Sequence, residues 1–243
     1  MKLKIKKELL LDGLNKVSKA LSSNNLVPVL QGIKFDLTKE GLLLTASDND
    51  ITIQVFLNNT EEMEIEKEGS IIIQGKYILD IVRKLPDEFI NIEVIDELKI
   101  TIYTDNSEFN LNGINNSEYP NISLDLSKNP INVNSRIFRS IINQTSFAAS
   151  SDESRPILTG INFKITGDIM ECNSTDSYRL ARRIININEN VDDNYNIVIP
   201  SKNLLEFIKI MDDSEDNIDF ENIQCELRNA FETILPEKSS FEL

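Results

Sequence analysis

Few groupings along this chain have the residue types and spacing that chemistry needs. Asp48-Asn49-Asp50 sets two carboxylates one residue apart, enough to share a divalent cation in a phosphoryl-transfer site. Asp212-x-Ser214-x-Asp216 has the opening of a calcium loop. Such a loop needs Gly at its sixth position and a bidentate Glu at its twelfth, and here Asn217 and Ile223 stand there. The absence of histidine excludes imidazole bases, His-based triads and His metal sites. Cys172 and Cys225 give neither a zinc spacing nor a disulfide framework, and are expected as reduced, buried strand residues. No phosphate-cradling loop forms among the 8 glycines. A carboxylate–metal hydrolase is the enzyme class left open, and it ranks last of three readings; no cofactor and no resident metal are expected.

The elements that position these residues belong to a chain of 243 residues, long enough for two ordinary domains. With 40% hydrophobic and 27% charged residues it can bury real cores beneath a solvated surface. No apolar run approaches a membrane span, and Leu9-Leu10-Leu11 meets Asp12 too soon for a signal peptide. The expectation is a cytoplasmic protein with no membrane partner. A net charge of −15 argues by itself against nucleic acid, where affinity comes from neutralising phosphates.

An internal repeat organises the sequence. Pro28-Val29-Leu30-Gln31-Gly32-Ile33-Lys34-Phe35 returns 128 residues later as Pro156-Ile157-Leu158-Thr159-Gly160-Ile161-Asn162-Phe163. Leu44-Thr45-Ala46-Ser47-Asp48 returns as Cys172-Asn173-Ser174-Thr175-Asp176. Because the repeat partner of Asp48-Asn49-Asp50 is Asp176-Ser177-Tyr178, with a single carboxylate, a turn is the better reading of Asp48. Upstream of each copy runs a helical face, Leu10, Leu14, Val17 and Leu21, then Phe138, Ile142, Thr145 and Ala149. Downstream, Ile71-Ile72-Ile73 and Ile197-Val198-Ile199 read as strands that lead into helices carrying Ile78, Leu79, Val82, Leu85 and Leu204, Leu205, Ile208, Met211. Ser201 is the expected N-cap of the second of these helices, and Pro86-Asp87 the stop of the first. The fold class is α+β, a tandem repeat of a two-helix, antiparallel-sheet unit. The expected domains are 1–126 and 129–243, divided near Asp125–Asn129.

Charge follows the same organisation. The predicted helices 7–21, 76–85, 135–149 and 201–211 hold 10 basic and 4 acidic residues, whereas the remainder holds 15 and 36. If the helices share one concave surface, that surface is positive on an acidic protein and focuses field toward phosphate.

Two sets of residues resemble a known family. Val27-Pro28-Val29-Leu30-Gln31-Gly32-Ile33, Leu79–Pro86, Ser107–Gly113 and Tyr119-Pro120 are similar to domain one of bacterial DNA-polymerase sliding clamps, the beta subunit of DNA polymerase III. Phe147–Ser150, Arg155–Gly160 and Thr175-Asp176-Ser177-Tyr178-Arg179-Leu180-Ala181 are similar to domain two, and the likeness runs in order to about residue 220. The resemblance implies the sliding-clamp (DNA clamp) fold. Three such domains form a protomer, and protomers join head to tail into a homodimer ring, helices inside and sheets outside. It implies a non-catalytic processivity factor of the DNA-directed DNA polymerase holoenzyme, active in DNA replication. Its partners would be duplex DNA, the replicative DNA polymerase, a clamp loader, clamp-binding peptides of repair proteins and copies of itself. A mobile ring needs weak, sequence-blind phosphate contacts. The residues expected to supply them are Lys76, Arg83, Arg155 and Lys202, then Lys16, Lys19, Arg136 and Arg139; Arg155 could instead pair with Asp152 or Glu153. Carried over residue by residue, Leu158, Thr175, Ser177, Tyr178, Arg179 and Leu180 form the domain-two wall of a peptide groove. The opposing reading makes Asp176-Ser177 a plain turn and Leu180 a core residue.

Two departures stand out. Family members often carry a basic residue in the loop that is Ser22-Ser23-Asn24-Asn25 here, and beyond Phe220 the sequence departs from the family pattern, so domain two is expected to be shortened and domain three absent. The alternative function they motivate is a clamp paralogue or fragment that acts only as a protein-interaction module.

Overall fold

Lys2–Lys6 alternates Lys with Leu and Ile, the period-two pattern of a half-buried strand. In the computed structural model it is β1 (Lys2–Lys6), with Leu3 and Ile5 buried. It runs without a break into α1 (Lys7–Val17), whose Leu10, Leu14 and Val17 recur at helical spacing and are all buried. The structure describes residues 1–21, 27–48, 51–120, 131–211 and 217–219. The stretches Ser22–Asn25, Asn49-Asp50, Asp125–Asn129 and Asp212–Asp216, together with Cys225 and the segment beyond Asp219, lie outside the described residues. The chain divides into two compact units, Met1–Ile122 and Ser123–Leu243.

In the first unit α1 is followed by β2 (Gly32–Thr38), β3 (Gly41–Ser47), β4 (Thr52–Asn58), β5 (Met63–Lys67) and β6 (Gly69–Gln74). Then come α2 (Gly75–Lys84), β7 (Phe89–Ile95), β8 (Lys99–Tyr103) and β9 (Glu108–Asn112). The strands form two antiparallel sheets, β5-β1-β7-β8-β9 and β4-β3-β2-β6. The two helices pack on each other. α2 stops at Lys84 with Leu85 extended, as expected of a residue that precedes proline. The β7–β8 turn holds Asp96 and Glu97 at φ 47° and 60°, a left-handed pair that normally calls for glycine. Glu97→Gly is therefore expected to raise stability by about 1 kcal/mol, read as a higher denaturant midpoint; a fall would show that the Glu97 side chain contributes more than its backbone costs.

The second unit contains β10 (Asn132–Asn134), α3 (Ser135–Thr145), β11 (Gly160–Thr175), β12 (Leu180–Pro200), α4 (Ser201–Ile210) and β13 (Asn217–Asp219). β10 pairs with β13 and β11 with β12. The core gathers Phe138, Ile142, Phe163, Cys172, Ile199, Leu204 and Ile208. Cys172 is free and buried, and burial pushes its thiol up to about 12.

The sequence repeat is also a repeat of hydrogen-bond register. β2 meets β6 from Gly32↔Gln74 to Leu37↔Gly69, and β11 meets β12 from Gly160↔Pro200 to Ile165↔Tyr195 in the same step. β3 meets β4 from Gly41↔Asn58 to Ser47↔Thr52, matched by Ile169↔Asn186 to Thr175↔Leu180. Since a one-residue slip would turn every core side chain to the other face, this agreement ties Phe35 to Phe163 and Leu44 to Cys172 as equivalent core positions. Gly167, at φ 59°, sits where β11 shifts register between the two stretches.

One sequence expectation fails locally. Ser201 makes no cap hydrogen bond and is instead the first helical residue of α4, buried, with Pro200 before it. It occupies the place of Gly75 in the other unit, where an added Cβ would meet Leu21 and the Gln31 carbonyl. Tight packing at the strand–helix junction, rather than capping, selects a small residue there. A side-chain cap occurs instead on α3, where Asn134 Oδ1 accepts from the Arg136 and Ile137 N–H groups.

Candidate functional site

Each unit presents a helix pair bearing exposed cations. In the first, Lys19, Lys76 and Arg83 are exposed, and Arg83 Nη2 donates to Asn15 Oδ1 at 2.8 Å, reaching across from α2 to α1. Lys16, on the same helix as Asn15, pairs with Asp12 at 3.0 Å. In the second unit Arg136 and Lys202 are exposed. Lys76, Arg136 and Lys202 share a feature of position: each is the second residue of its helix, and α2, α3 and α4 have no acid in the first turn. A cation there opposes the positive end of the helix dipole and costs about 0.3–1 kcal/mol. These positions are poor for helix stability and suited to presenting charge.

Arg139 stands apart from that group. Its Nη1 and Nη2 donate to the carbonyls of Ile208 and Met211, at 2.6 and 2.8 Å, at the C-terminal end of α4. The first unit has the same device with another residue, since Lys7 Nζ donates to the carbonyls of Leu85 and Arg83 at the C-terminal end of α2. Both cations satisfy orphan carbonyls at the negative end of a helix. Arg139 thus has a structural task that its sequence position did not reveal.

Arg155 belongs with the second candidate site. It precedes the 3-10 turn Pro156–Thr159 and donates from Nη1 to Ser177 Oγ at 3.3 Å, and its charge adds to the Ser154 hydrogen bonds that hold the Asp152 carboxyl below the usual aspartate range. The β11–β12 turn that carries Ser177 is built around Asp176. Asp176 Oδ1 accepts from the N–H groups of Tyr178 and Arg179, each at 3.0 Å, and Oδ2 accepts from Arg179 Nε at 2.9 Å. The Tyr178 amide, helped by Arg179, holds the Asp176 carboxyl below the usual aspartate range. Thr175 Oγ1 donates to the Arg179 carbonyl at 2.7 Å and accepts from the Ser177 N–H. Ser177 is held at φ 79°, a left-handed conformation uncommon for serine. The counterpart turn in the first unit uses Asp48, whose Oδ1 accepts from the Ile51 N–H at 2.9 Å. Asp48 therefore has a turn-forming role, and no three potential metal ligands converge among the described residues.

This ordered turn displays apolar side chains to water. Tyr178 is 96% exposed and Leu180 67%, so Leu180 is no core residue. Leu158, in the Pro156–Thr159 turn, and Thr175, at the end of β11, are half-buried. Two further exposed residues went unassigned in the sequence reading: Ile157, and Phe147, over whose ring the Arg179 guanidinium lies at 5.5 Å. Both lie in the family-like segments Phe147–Ser150 and Arg155–Gly160, and large apolar residues inside those segments were the signal that could have found them. Clustered exposed apolar groups on a pre-ordered turn mark an interaction surface.

A helix pair on antiparallel sheets, repeated with its register intact and carrying cations on its helices, defines the clamp class of fold. Comparison with known proteins gives the family. Residues 1–123 match the DNA polymerase III beta subunit, N-terminal domain, and residues 132–239 match its central domain. The chain is 41% identical over 221 residues to the beta sliding clamp of Halalkalibacterium halodurans, covering 88% of this chain and 58% of that protein. It is 39% identical over 223 residues to the beta sliding clamp of Bacillus subtilis, covering 90% and 59%. The crystal structure of the DNA polymerase sliding clamp from Bacillus subtilis superposes with a TM-score of 0.87 at 38% identity, over 90% of this chain and 59% of that one. The chain belongs to the DNA polymerase III beta subunit family, the bacterial sliding clamps, and spans just under three-fifths of the length of these relatives.

Proposed function

We propose that this chain is a sliding-clamp subunit: a non-catalytic, cytoplasmic DNA-replication protein that surrounds duplex DNA as part of a ring and tethers the replicative polymerase. The observation that carries the reading is the dipole-opposed placement of Lys76, Arg136 and Lys202 on repeated helix pairs. Phosphate contacts of this kind are sequence-blind and weak enough to slide. A tether raises the local concentration of a bound polymerase without any chemistry. Lys16, Lys19, Arg83 and Arg155 are further phosphate contacts, the first three in the last turns of their helices, where the dipole favours a cation. Peptides of replication and repair proteins would dock on the second unit at Leu158, Thr175, Ser177, Tyr178, Arg179 and Leu180, with Arg155 bracing the turn. The clamp loader and further copies of the chain complete the set of partners. Here domains 1–126 and 129–243 act as clamp domains one and two.

Retention on circular DNA tests the reading. In the oligomeric form it takes in solution, and with a clamp loader and ATP supplied, the chain is expected to co-elute with nicked circular duplex and to be released when the circle is cut open. Equal retention on circular and linear DNA, or none on either, would contradict encirclement. Loss of retention combined with intact binding of a clamp-binding peptide would favour the interaction-module reading, which the ordered, exposed Tyr178–Leu180 turn supports.

A further inference from the structure

The repeat places one surface in both units, and among the described residues the two copies differ in exposure. In the second unit Ile157 is 66% exposed, whereas its counterpart 128 positions earlier, Val29, is 8% exposed. The neighbouring Leu30 is fully buried while its counterpart Leu158 is half-buried, and the same contrast holds for Ser47 and Thr175. The cover in the first unit is a segment of the chain itself. After β9, residues Gly113–Tyr119 cross this surface as a strap. Ile114 exchanges both backbone hydrogen bonds with Ile72 of β6, at 2.9 and 3.2 Å, as a single added strand residue. A 3-10 turn follows, Asn116–Glu118, capped by Asn115 Oδ1 accepting from the Ser117 N–H and hydroxyl. Tyr119 then drops its ring among Val29, Leu30 and Ile72, with Ile114 packed alongside. Gly113 allows the approach, because an added Cβ would lie 2.8 Å from Ile71 and Ile100 side-chain atoms.

The mode of this contact is that of peptide recognition. Backbone pairing at a sheet edge gives affinity, and a pocket for a large side chain gives selectivity. We propose that the groove Val29–Leu30–Ile72 of the first unit is a second peptide-docking site, occupied in cis by the Gly113–Tyr119 strap. Its ligand is a peptide with an aliphatic residue at the bridge position, a 3-10 turn after it and an aromatic residue five positions later. The strap holds a large advantage over any free peptide, since its tether gives it an effective concentration of the order of millimolar. The groove therefore opens only when the strap is displaced, which makes the strap an autoinhibitory contact. This inference rests on the strap alone and stands whether or not the chain encircles DNA.

The test uses a fluorescein-labelled peptide with the sequence of Leu111–Pro120, titrated into the full chain and followed by anisotropy. Tyr119→Ala, which removes the strap's anchor, is expected to bind the peptide at least tenfold more tightly than the unmodified chain. Asn115→Ala loosens the 3-10 turn from an exposed position and leaves the groove untouched; it is expected to give a smaller gain and carries the test should Tyr119→Ala fail to fold. Val29→Asp in either background should abolish the gain, and a peptide whose own tyrosine is alanine should not bind. Folded variants without any gain, or a gain that survives Val29→Asp, would overturn the proposal.

Discussion

Phe138→Ala is expected to destabilise the second unit by about 3–5 kcal/mol, the range for deleting a large buried aromatic side chain. Phe138 is fully buried on the inner face of α3. Its ring stacks on Phe163 of β11 with centroids 6.2 Å apart, and meets Phe207 of α4 edge-on at 6.1 Å. It therefore joins both helices to the sheet at one point. A loss of that size is comparable to the whole stability of a small domain. Hydrogen exchange should show protection lost across Ser135–Ile210 and retained across Leu3–Ile102, whose core contains none of these residues. Uniform loss along the chain would show instead that the two cores melt as one.

Leu180→Asp is expected to weaken binding of a clamp-type peptide by about 2 kcal/mol or more, roughly thirtyfold, with little change in thermal stability. The side chain is 67% exposed, so the folded chain loses little when it is replaced, whereas a peptide's apolar anchor would face an unpaired charge in a desolvated contact. The turn that presents Leu180 is held from Asp176 by three hydrogen bonds to Tyr178 and Arg179, and Asp at position 180 breaks none of them. Isothermal titration with a peptide taken from a replicative polymerase would measure the effect. Unchanged affinity would remove the exposed turn from the binding surface, and a large fall in melting temperature would return Leu180 to a structural role.

The fold was legible in the sequence because the repeat carries register. Pro28–Phe35 and Pro156–Phe163 fix equivalent strands, and the paired β-ladders follow from them residue by residue. The helix faces were legible because Leu10, Leu14 and Val17, like Phe138 and Ile142, recur at helical spacing and are buried. Tertiary tasks were less visible. Arg139 reads as one more helix cation until α3 and α4 pack and bring it to the carbonyls of Ile208 and Met211. Arg155 reads as a phosphate contact, and its bond to Ser177 across twenty-two residues was not visible in the sequence. The burial of Val29 and the exposure of Ile157 differ through Tyr119, ninety residues from Val29 in sequence. Periodicity reports which face of an element is apolar; it does not report what arrives from elsewhere in the chain to cover that face.

The central claim is that cations set against their helix dipoles are there for phosphate. The salt dependence of duplex binding, compared between the full chain and its Lys76→Glu/Lys202→Glu variant, tests it most directly. Each phosphate contact contributes roughly 0.9 to the slope of log affinity against log salt, so losing two should flatten the slope by about 1.8. The same change places acids at the positive ends of α2 and α4 and should leave thermal stability unchanged or raised. An unaltered slope, with the variant folded and stable, would contradict the account.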